Sequence, residues 1–154
     1  MDAATRSRMM AGIKGKNTKP EMTVRRGLHA LGFRYRLHER KLPGLPDLVL
    51  PKWQAVIFVH GCFWHGHDCS LFRWPGSRQE FWRQKISRNQ QRDVEVETAL
   101  DSQGWRVLKI WECAMKGPSR IGEEATILNA SNWLRSGDRR GEIRGIQSAD
   151  GRSS

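Results

Sequence analysis

The chain has 154 residues, a formal net charge of +11 and seven Trp residues. A chain of this length most simply forms one domain with a buried core. The excess of Lys and Arg predicts a polyanionic partner, nucleic acid first of all, because clustered cations release counterions from phosphates. The alternative is a protein that is basic only for solubility, but solubility does not require so many indoles, which can stack on bases.

The sequence contains no segment typical of secretion or membrane insertion. The first ten residues lack an apolar run of signal-peptide length, and no later stretch reaches about 20 apolar residues. We therefore expect a cytoplasmic protein without a membrane partner. The cysteines are too few and odd in number for a secreted disulfide framework, so we expect them to bind metal or to be buried; they are Cys62, Cys69 and Cys113.

Apolar spacing and turn residues predict an α/β protein, a single sheet flanked by helices. Composition predicts a basic arm at residues 1–17 that orders on a partner, and a disordered tail at residues 136–154, which lack aromatics. Between them, at 18–135, lies the main domain. Its predicted elements are a helix from the capping residue Thr18 to Gly32, strands at 33–37, 47–50 and 55–59, a helix at 77–102 capped by Ser77, a strand at 105–111, and a helix at 119–134.

The order of these elements also predicts how the strands pair. The strands at 47–50 and 55–59 are joined by so short a link that we expect an antiparallel pair. The strand at 105–111 follows the long helix and should therefore join the sheet by a crossover connection.

The loop after the predicted strand at 55–59 has an unusual density of side chains that can bind metal. Cys62, His67 and Cys69 lie within eight positions, and Cys113 follows a separate strand. Folding can bring these four residues into a Cys3His tetrahedron, the closed ligand set of structural zinc. The alternative is three core thiols with histidines nearby. If the zinc site is real, replacing Cys113 should release the metal and destabilise the fold.

Two further histidines and two carboxylates remain outside this set. His60 and His65 are candidates for a general base, because imidazole exchanges protons near neutral pH; structural histidines are the alternative. Asp47 begins a strand beside the one that ends at His60, and a carboxylate there suits a hard cation such as Mg²⁺. Glu21 is already explained by the capping box of Thr18, although both roles can coexist.

At these residues the chain resembles the very-short-patch repair endonucleases, bacterial enzymes that nick DNA beside T:G mismatches formed by deamination of 5-methylcytosine. The resemblance covers roughly residues 4–117, and its most specific part is the His-Gly-Cys-Phe-Trp-His run at 60–65. The other matching pieces are Ala4-Thr-Arg-Ser-Arg8 with Met10, Leu42-Pro-Gly-Leu-Pro-Asp47, Glu80-Phe-Trp82, Lys85-Ile86 with Asn89, and Gly104-Trp-Arg-Val-Leu108 with Trp111-Glu-Cys113.

The resemblance implies a restriction-endonuclease-like (PD-(D/E)XK-type) fold, a structural Zn²⁺ and a catalytic Mg²⁺. By position, Asp47 and the backbone carbonyl of Val59 resemble the Mg²⁺ ligands, and His65 resembles the histidine that activates water. Residues resembling those that hold water around the metal are Glu21, His60 and Asp93. Residues resembling the zinc ligands are Cys62, His67, Cys69 and Cys113.

The same resemblance implies residues that contact DNA. Phe63, Trp64 and Met10 resemble a wedge that enters the base stack beside the mismatch, while Lys85 and Asn89 resemble residues near the mispaired bases; an ordinary solvated face is the alternative for this last pair. The expected partner is double-stranded DNA with a T:G mismatch, bound by a monomer, with general mismatch-repair proteins as candidate helpers.

The chain departs from the family pattern in two places, and two rival functions are open to it. Val59 stands where better-known relatives carry Thr, and His65-Gly-His-Asp68 replaces a run of four histidines found in some relatives. A related endonuclease that cuts intact sites is one rival. A zinc-stabilised DNA-binding module with an inactive centre is the other.

Overall fold

The structure is a computed structural model that describes residues 18–37 and 39–147, so the predicted basic arm and Met10 lie outside the described residues. Two short 3₁₀ turns, Pro51–Trp53 and Glu112–Ala114, follow the first and third strands. The helices and strands are α1 (Lys19–Ala30), β1 (Leu48–Leu50), β2 (Ala55–His60), α2 (Gln79–Ser102), β3 (Arg106–Trp111), α3 (Glu123–Ser136) and β4 (Arg140–Ile143).

The four strands form one mixed sheet in the order β1-β2-β3-β4. β1 and β2 are antiparallel, whereas β2, β3 and β4 run parallel to one another. The sheet confirms the predicted α/β class, the antiparallel first pair and the crossover through the long helix. The predicted strand at 33–37 is reduced to a single bridge between Arg36 and Val49.

Alternating residues of the strands pack against helices on both faces of the sheet, as period-two alternation requires. On one face, Ile57 and Leu108 belong to a core with Leu28 of α1 and Leu134 of α3. On the other face, Val56, Phe58 and Val107 pack with Leu100 of α2. The sheet is therefore covered on both faces, which explains the unbroken apolar run in β2.

The prediction of a disordered tail is wrong for residues 140–143, which form β4. Ile143 of this strand is only 7% exposed, and Arg140–Ile143 pairs in register with Val107–Ile110 of β3. The sequence Arg-Gly-Glu-Ile has too little apolar periodicity to predict a strand. β4 is stabilised by its pairing with β3, which the local sequence does not encode. Residues 148–154 lie outside the described part of the chain.

Two predicted helix starts are also corrected. Thr18 does cap α1, since its Oγ1 accepts a hydrogen bond from the Glu21 amide at 3.4 Å. Ser77 does not cap α2. The residue at the cap position is Arg78, which has a left-handed conformation and makes no capping hydrogen bond with its side chain. The last helix begins at Glu123 rather than Ser119, because the chain before it bonds back to Ala114 through the amides of Ile121 and Gly122.

Among the helices of the described residues, none combines the length and apolar content needed to cross a lipid bilayer.

Candidate active site and metal centre

The loop that follows β2, residues 61–70 (the β2 loop), meets the end of β3 because these strands are parallel neighbours. The register pairs His60 with Trp111, so both strands deliver their next residues to the same edge of the sheet. This arrangement brings Cys113 to the β2 loop, although about fifty positions separate the two in sequence. Four ligand atoms there lie within 4.8 Å of one another, those of Cys62, His67, Cys69 and Cys113.

The chemistry of this Cys–His cluster fits a tightly held metal ion. Cys62 and Cys113 are fully buried, and the Sγ of Cys113 lies 3.6 Å from Nδ1 of His67. Burial raises the pKa of both thiols and lowers the pKa of His67 to about 4. The imidazole is therefore neutral, as metal binding requires, and a cation would stabilise thiolates that burial alone disfavours. The cluster could bind a metal ion.

A second cluster lies beside the first and consists of His60, His65 and Asp93, whose ligand atoms are also within 4.8 Å of one another. Nδ1 of His65 is 2.5 Å from Oδ2 of Asp93, which α2 contributes. The rings of His60 and His65 lie 3.9 Å apart between centroids. Burial, followed by the charges of its neighbours, lowers the pKa of His60 well below its ordinary value, so this imidazole is neutral at physiological pH.

The predicted Mg²⁺ ligands lie together at the β1 end of the same sheet edge. Oδ2 of Asp47 accepts a hydrogen bond from the Val59 amide at 2.6 Å. Burial raises the pKa of Asp47 to about 7, the Val59 amide opposes this shift, and Glu21 raises the pKa further. Glu21 is 2% exposed and is paired with Arg25. Two carboxyl groups in such surroundings favour a bound cation, because it would relieve their mutual repulsion.

The indole of Trp111 separates the two clusters. It stacks on His67 with 3.8 Å between centroids and an interplanar angle of 6°, and it also contacts His60 at 5.0 Å and His65 at 5.8 Å. Its Nε1 donates to Oε2 of Glu142 at 2.5 Å. Trp111 is therefore the side chain through which the Cys–His cluster can fix the position of the neighbouring histidines.

Comparison with known proteins gives the family of the chain. The family model described as DNA mismatch endonuclease Vsr matches residues 1–71. The DNA mismatch endonuclease Vsr of Escherichia coli is 41% identical over 133 residues, which span 86% of this chain and 85% of that relative. The chain belongs to the Vsr family.

Other relatives of this Vsr-family chain are named as nicking enzymes. The type II nicking enzyme V.XorIIP of Xanthomonas oryzae pv. oryzae is 49% identical over 107 residues, which span 70% of this chain and 79% of the relative. The type II nicking enzyme V.NmeAIP of Neisseria meningitidis is 46% identical over 111 residues, spanning 72% and 79% respectively.

Two of the candidate DNA-contacting residues of this Vsr-family chain, Phe63 and Trp64, form an aromatic surface with Trp82. Phe63 contacts Trp64 and Trp82, each at 5.2 Å between ring centroids. Nδ2 of Asn89 donates to the Trp64 carbonyl at 2.8 Å, so α2 holds the β2 loop in place. Lys85 lies one turn before Asn89 on α2 and is half-buried. Asn89 therefore holds the β2 loop, and contact of Lys85 and Asn89 with DNA stays a prediction.

Sequence reasoning missed three side chains that the structure places around the Cys–His cluster. For Trp111 a signal was available, since parallel pairing of the two long strands places it beside His60. For Glu142 and Arg144 there was none, because both lie in the stretch predicted to be disordered.

Proposed function

We propose that this Vsr-family endonuclease nicks one strand of double-stranded DNA beside a T:G mismatch left by deamination of 5-methylcytosine, the first step of very-short-patch repair. The observation that carries the proposal is the pairing of His65 with Asp93 next to His60, at the sheet edge where Asp47 meets Val59. Family membership supports the reaction class, and the mixed sheet is consistent with a restriction-endonuclease-like fold.

In this proposal the Cys–His cluster and the site around Asp47 hold different metals. The four ligands of the Cys–His cluster take Zn²⁺, which is structural because no ligand position is left open. Asp47 and the backbone carbonyl of Val59 hold Mg²⁺, which would supply positive charge to the phosphate and to the leaving 3′ oxygen. Val59 in place of Thr is harmless here, because the backbone carbonyl is the same in both residues.

The chain's own residues then move the proton. With Nδ1 of His65 protonated and held by Asp93, Nε2 is the base that takes a proton from the attacking water. Glu21 and His60 orient the water molecules around this site. The expected products carry a 5′ phosphate and a 3′ hydroxyl.

Mismatch recognition is assigned to the aromatic surface. Phe63 and Trp64, with Met10 from the N-terminal arm, enter the base stack, and a mismatched step costs less to open than a paired one. Lys85 and Asn89 lie near the mispaired bases. The enzyme acts as a monomer on bacterial DNA in the cytoplasm, where general mismatch-repair proteins can assist it.

The test is a strand-labelled duplex made in three versions that carry T:G, T:A or C:G at one site. We expect a Mg²⁺-dependent nick in the T strand of the T:G duplex alone. Equal cutting of all three duplexes would favour the rival that cleaves intact sites. No cutting with any divalent metal would favour an inactive DNA-binding module.

A further inference from the structure

The last described part of the chain reaches back to the Cys–His cluster. We call residues 142–145, the end of β4 and the two residues after it, the C-terminal clasp. Arg144 donates from Nη1 to Oδ1 of Asp68 at 2.7 Å and from Nη2 to the Asp68 carbonyl at 2.8 Å. Asp68 lies between the ligands His67 and Cys69, so this grip fixes both side chain and backbone in the middle of the ligand set.

The next residue contacts a ligand atom directly. The Gly145 amide donates to Sγ of Cys113 at 3.3 Å, and both groups are buried. A Cβ at Gly145 would lie 2.6 Å from the Cys113 carbonyl oxygen and 2.8 Å from that of Ser119, so only glycine allows this approach. An amide hydrogen bond to sulfur stabilises the thiolate form that binds metal.

The clasp also contacts Trp111, which packs against the Cys–His cluster. Glu142 accepts the indole N–H of Trp111, and that indole lies flat against the ring of His67. The clasp thus contacts the ligand Cys113 directly, reaches the ligand His67 through Trp111, and binds Asp68 between His67 and Cys69. Each contact comes from a residue that follows all four ligands in sequence.

We propose that the C-terminal clasp holds the Cys–His cluster closed around its metal, with Arg144 as the positioning residue. This inference rests on the metal site of the proposed function and adds to it that metal retention depends on residues after β4 begins. Hydrogen-bonded groups behind metal ligands orient those ligands, and losing one typically costs about 10-fold to 100-fold in metal affinity.

The chain provides a matched control for Arg144. Arg139 grips Asp101 in the same way, from Nε at 2.9 Å and Nη2 at 2.7 Å to Oδ1, and from Nη2 to the carbonyl at 3.2 Å. Asp101 is on α2, away from the Cys–His cluster. Both pairs anchor the segment that contains β4, but only the Arg144 pair touches the loop with the ligands.

The experiment measures zinc release from the full-length, zinc-loaded chain to a coloured chelator, with thermal unfolding recorded in parallel. We expect Arg144→Gln to release zinc about 10-fold faster than wild type and Arg139→Gln to release it at the wild-type rate. Asp68→Asn should also release zinc faster than wild type, and the double variant Arg144→Gln with Asp68→Asn should be no faster than Arg144→Gln alone, because Arg144→Gln already removes both contacts with Asp68.

Zinc release from Arg144→Gln at the wild-type rate would overturn the proposal. Equally faster release from both arginine variants would also overturn it, because that result would mean a general loss of stability. If Arg144→Gln does not fold, Asp68→Asn is compared with Asp101→Asn by the same criterion. Absence of zinc in the wild-type chain would overturn the clasp's metal role. Nicking of the T:G duplex, measured separately, then decides whether the proposed function survives.

Discussion

At the scale of single residues, the candidate site depends on burial that changes the protonation of its side chains. His60 is neutral because burial, and then the charges of its neighbours, lower its pKa well below the ordinary value. Burial raises the pKa of Asp47 to about 7, so the group is partly ionised near neutral pH and a bound cation would favour its carboxylate form. Asp93 fixes one nitrogen of His65, so only the other is left for proton transfer. These effects give each member of the site a distinct role.

The His65–Asp93 contact predicts the effect of Asp93→Asn. We expect the nicking rate to fall by about 10²-fold, because an amide no longer favours the tautomer with the proton on Nδ1. DNA affinity should stay the same. Glu95→Gln is the control, since Glu95 is an exposed carboxylate on the same helix. A single-turnover assay on the T:G duplex measures the nicking rate of each variant. Equal nicking rates for Asp93→Asn and Glu95→Gln would show that His65 does not need Asp93 to orient its ring.

The raised pKa of Asp47 predicts a pH-dependent stability. The ordinary value is 3.8 and the folded value is about 7, so between them the folded chain keeps a proton that the unfolded chain loses. This contribution to stability is complete below about pH 4 and is lost as pH rises through about 7. Asp47→Asn cannot ionise and escapes the loss.

Thermal unfolding of the two zinc-loaded proteins, without added Mg²⁺, measures the effect. The Tm of wild type minus that of Asp47→Asn should decrease from about pH 4 to about pH 7 and then level off. A constant difference across this range would mean that Asp47 is not an acid of raised pKa in the folded chain.

At the scale of elements, the parts predicted from sequence were those with strong local patterns. The apolar run at 55–59 and the long helix ending before Gly104 correspond to β2 and α2, and the Cys–His cluster followed from where the strands end. β4 was missed because its stability comes from pairing with β3, which no local pattern encodes. The sequence predicts Trp111 only as a strand residue. Its contacts with three histidines were missed, because they depend on the register between β2 and β3.

The burial of β4 predicts the cost of truncating Ile143. Ile143→Ala should lower the free energy of unfolding by about 2–4 kcal/mol, because the side chain is 7% exposed and packs in the core. Ile146→Ala is the matched control, as Ile146 is 66% exposed and should cost under about 0.5 kcal/mol. Urea unfolding of both variants is the measurement, and equal midpoints would mean that β4 is not part of the folded core.

At the scale of the whole molecule, the Cys–His cluster connects the end of β2 to the end of β3 and supports the loop that carries Phe63 and Trp64. Replacing Cys113 by Ser should therefore remove the metal and lower the Tm together. The metal content of the purified variant and its thermal unfolding are the two measurements. An unchanged metal content would exclude Cys113 as a ligand.

The central claim is that the site around Asp47 cuts DNA and is separate from the surfaces that bind it. The most direct measurement compares wild type with Asp47→Asn on one labelled T:G duplex, with binding and nicking recorded together. We predict a Mg²⁺-dependent nick by wild type, equal salt-sensitive binding by both proteins, and a nicking rate about 10³-fold lower for the variant. Equal nicking by both proteins, or binding without nicking by wild type, would contradict this account.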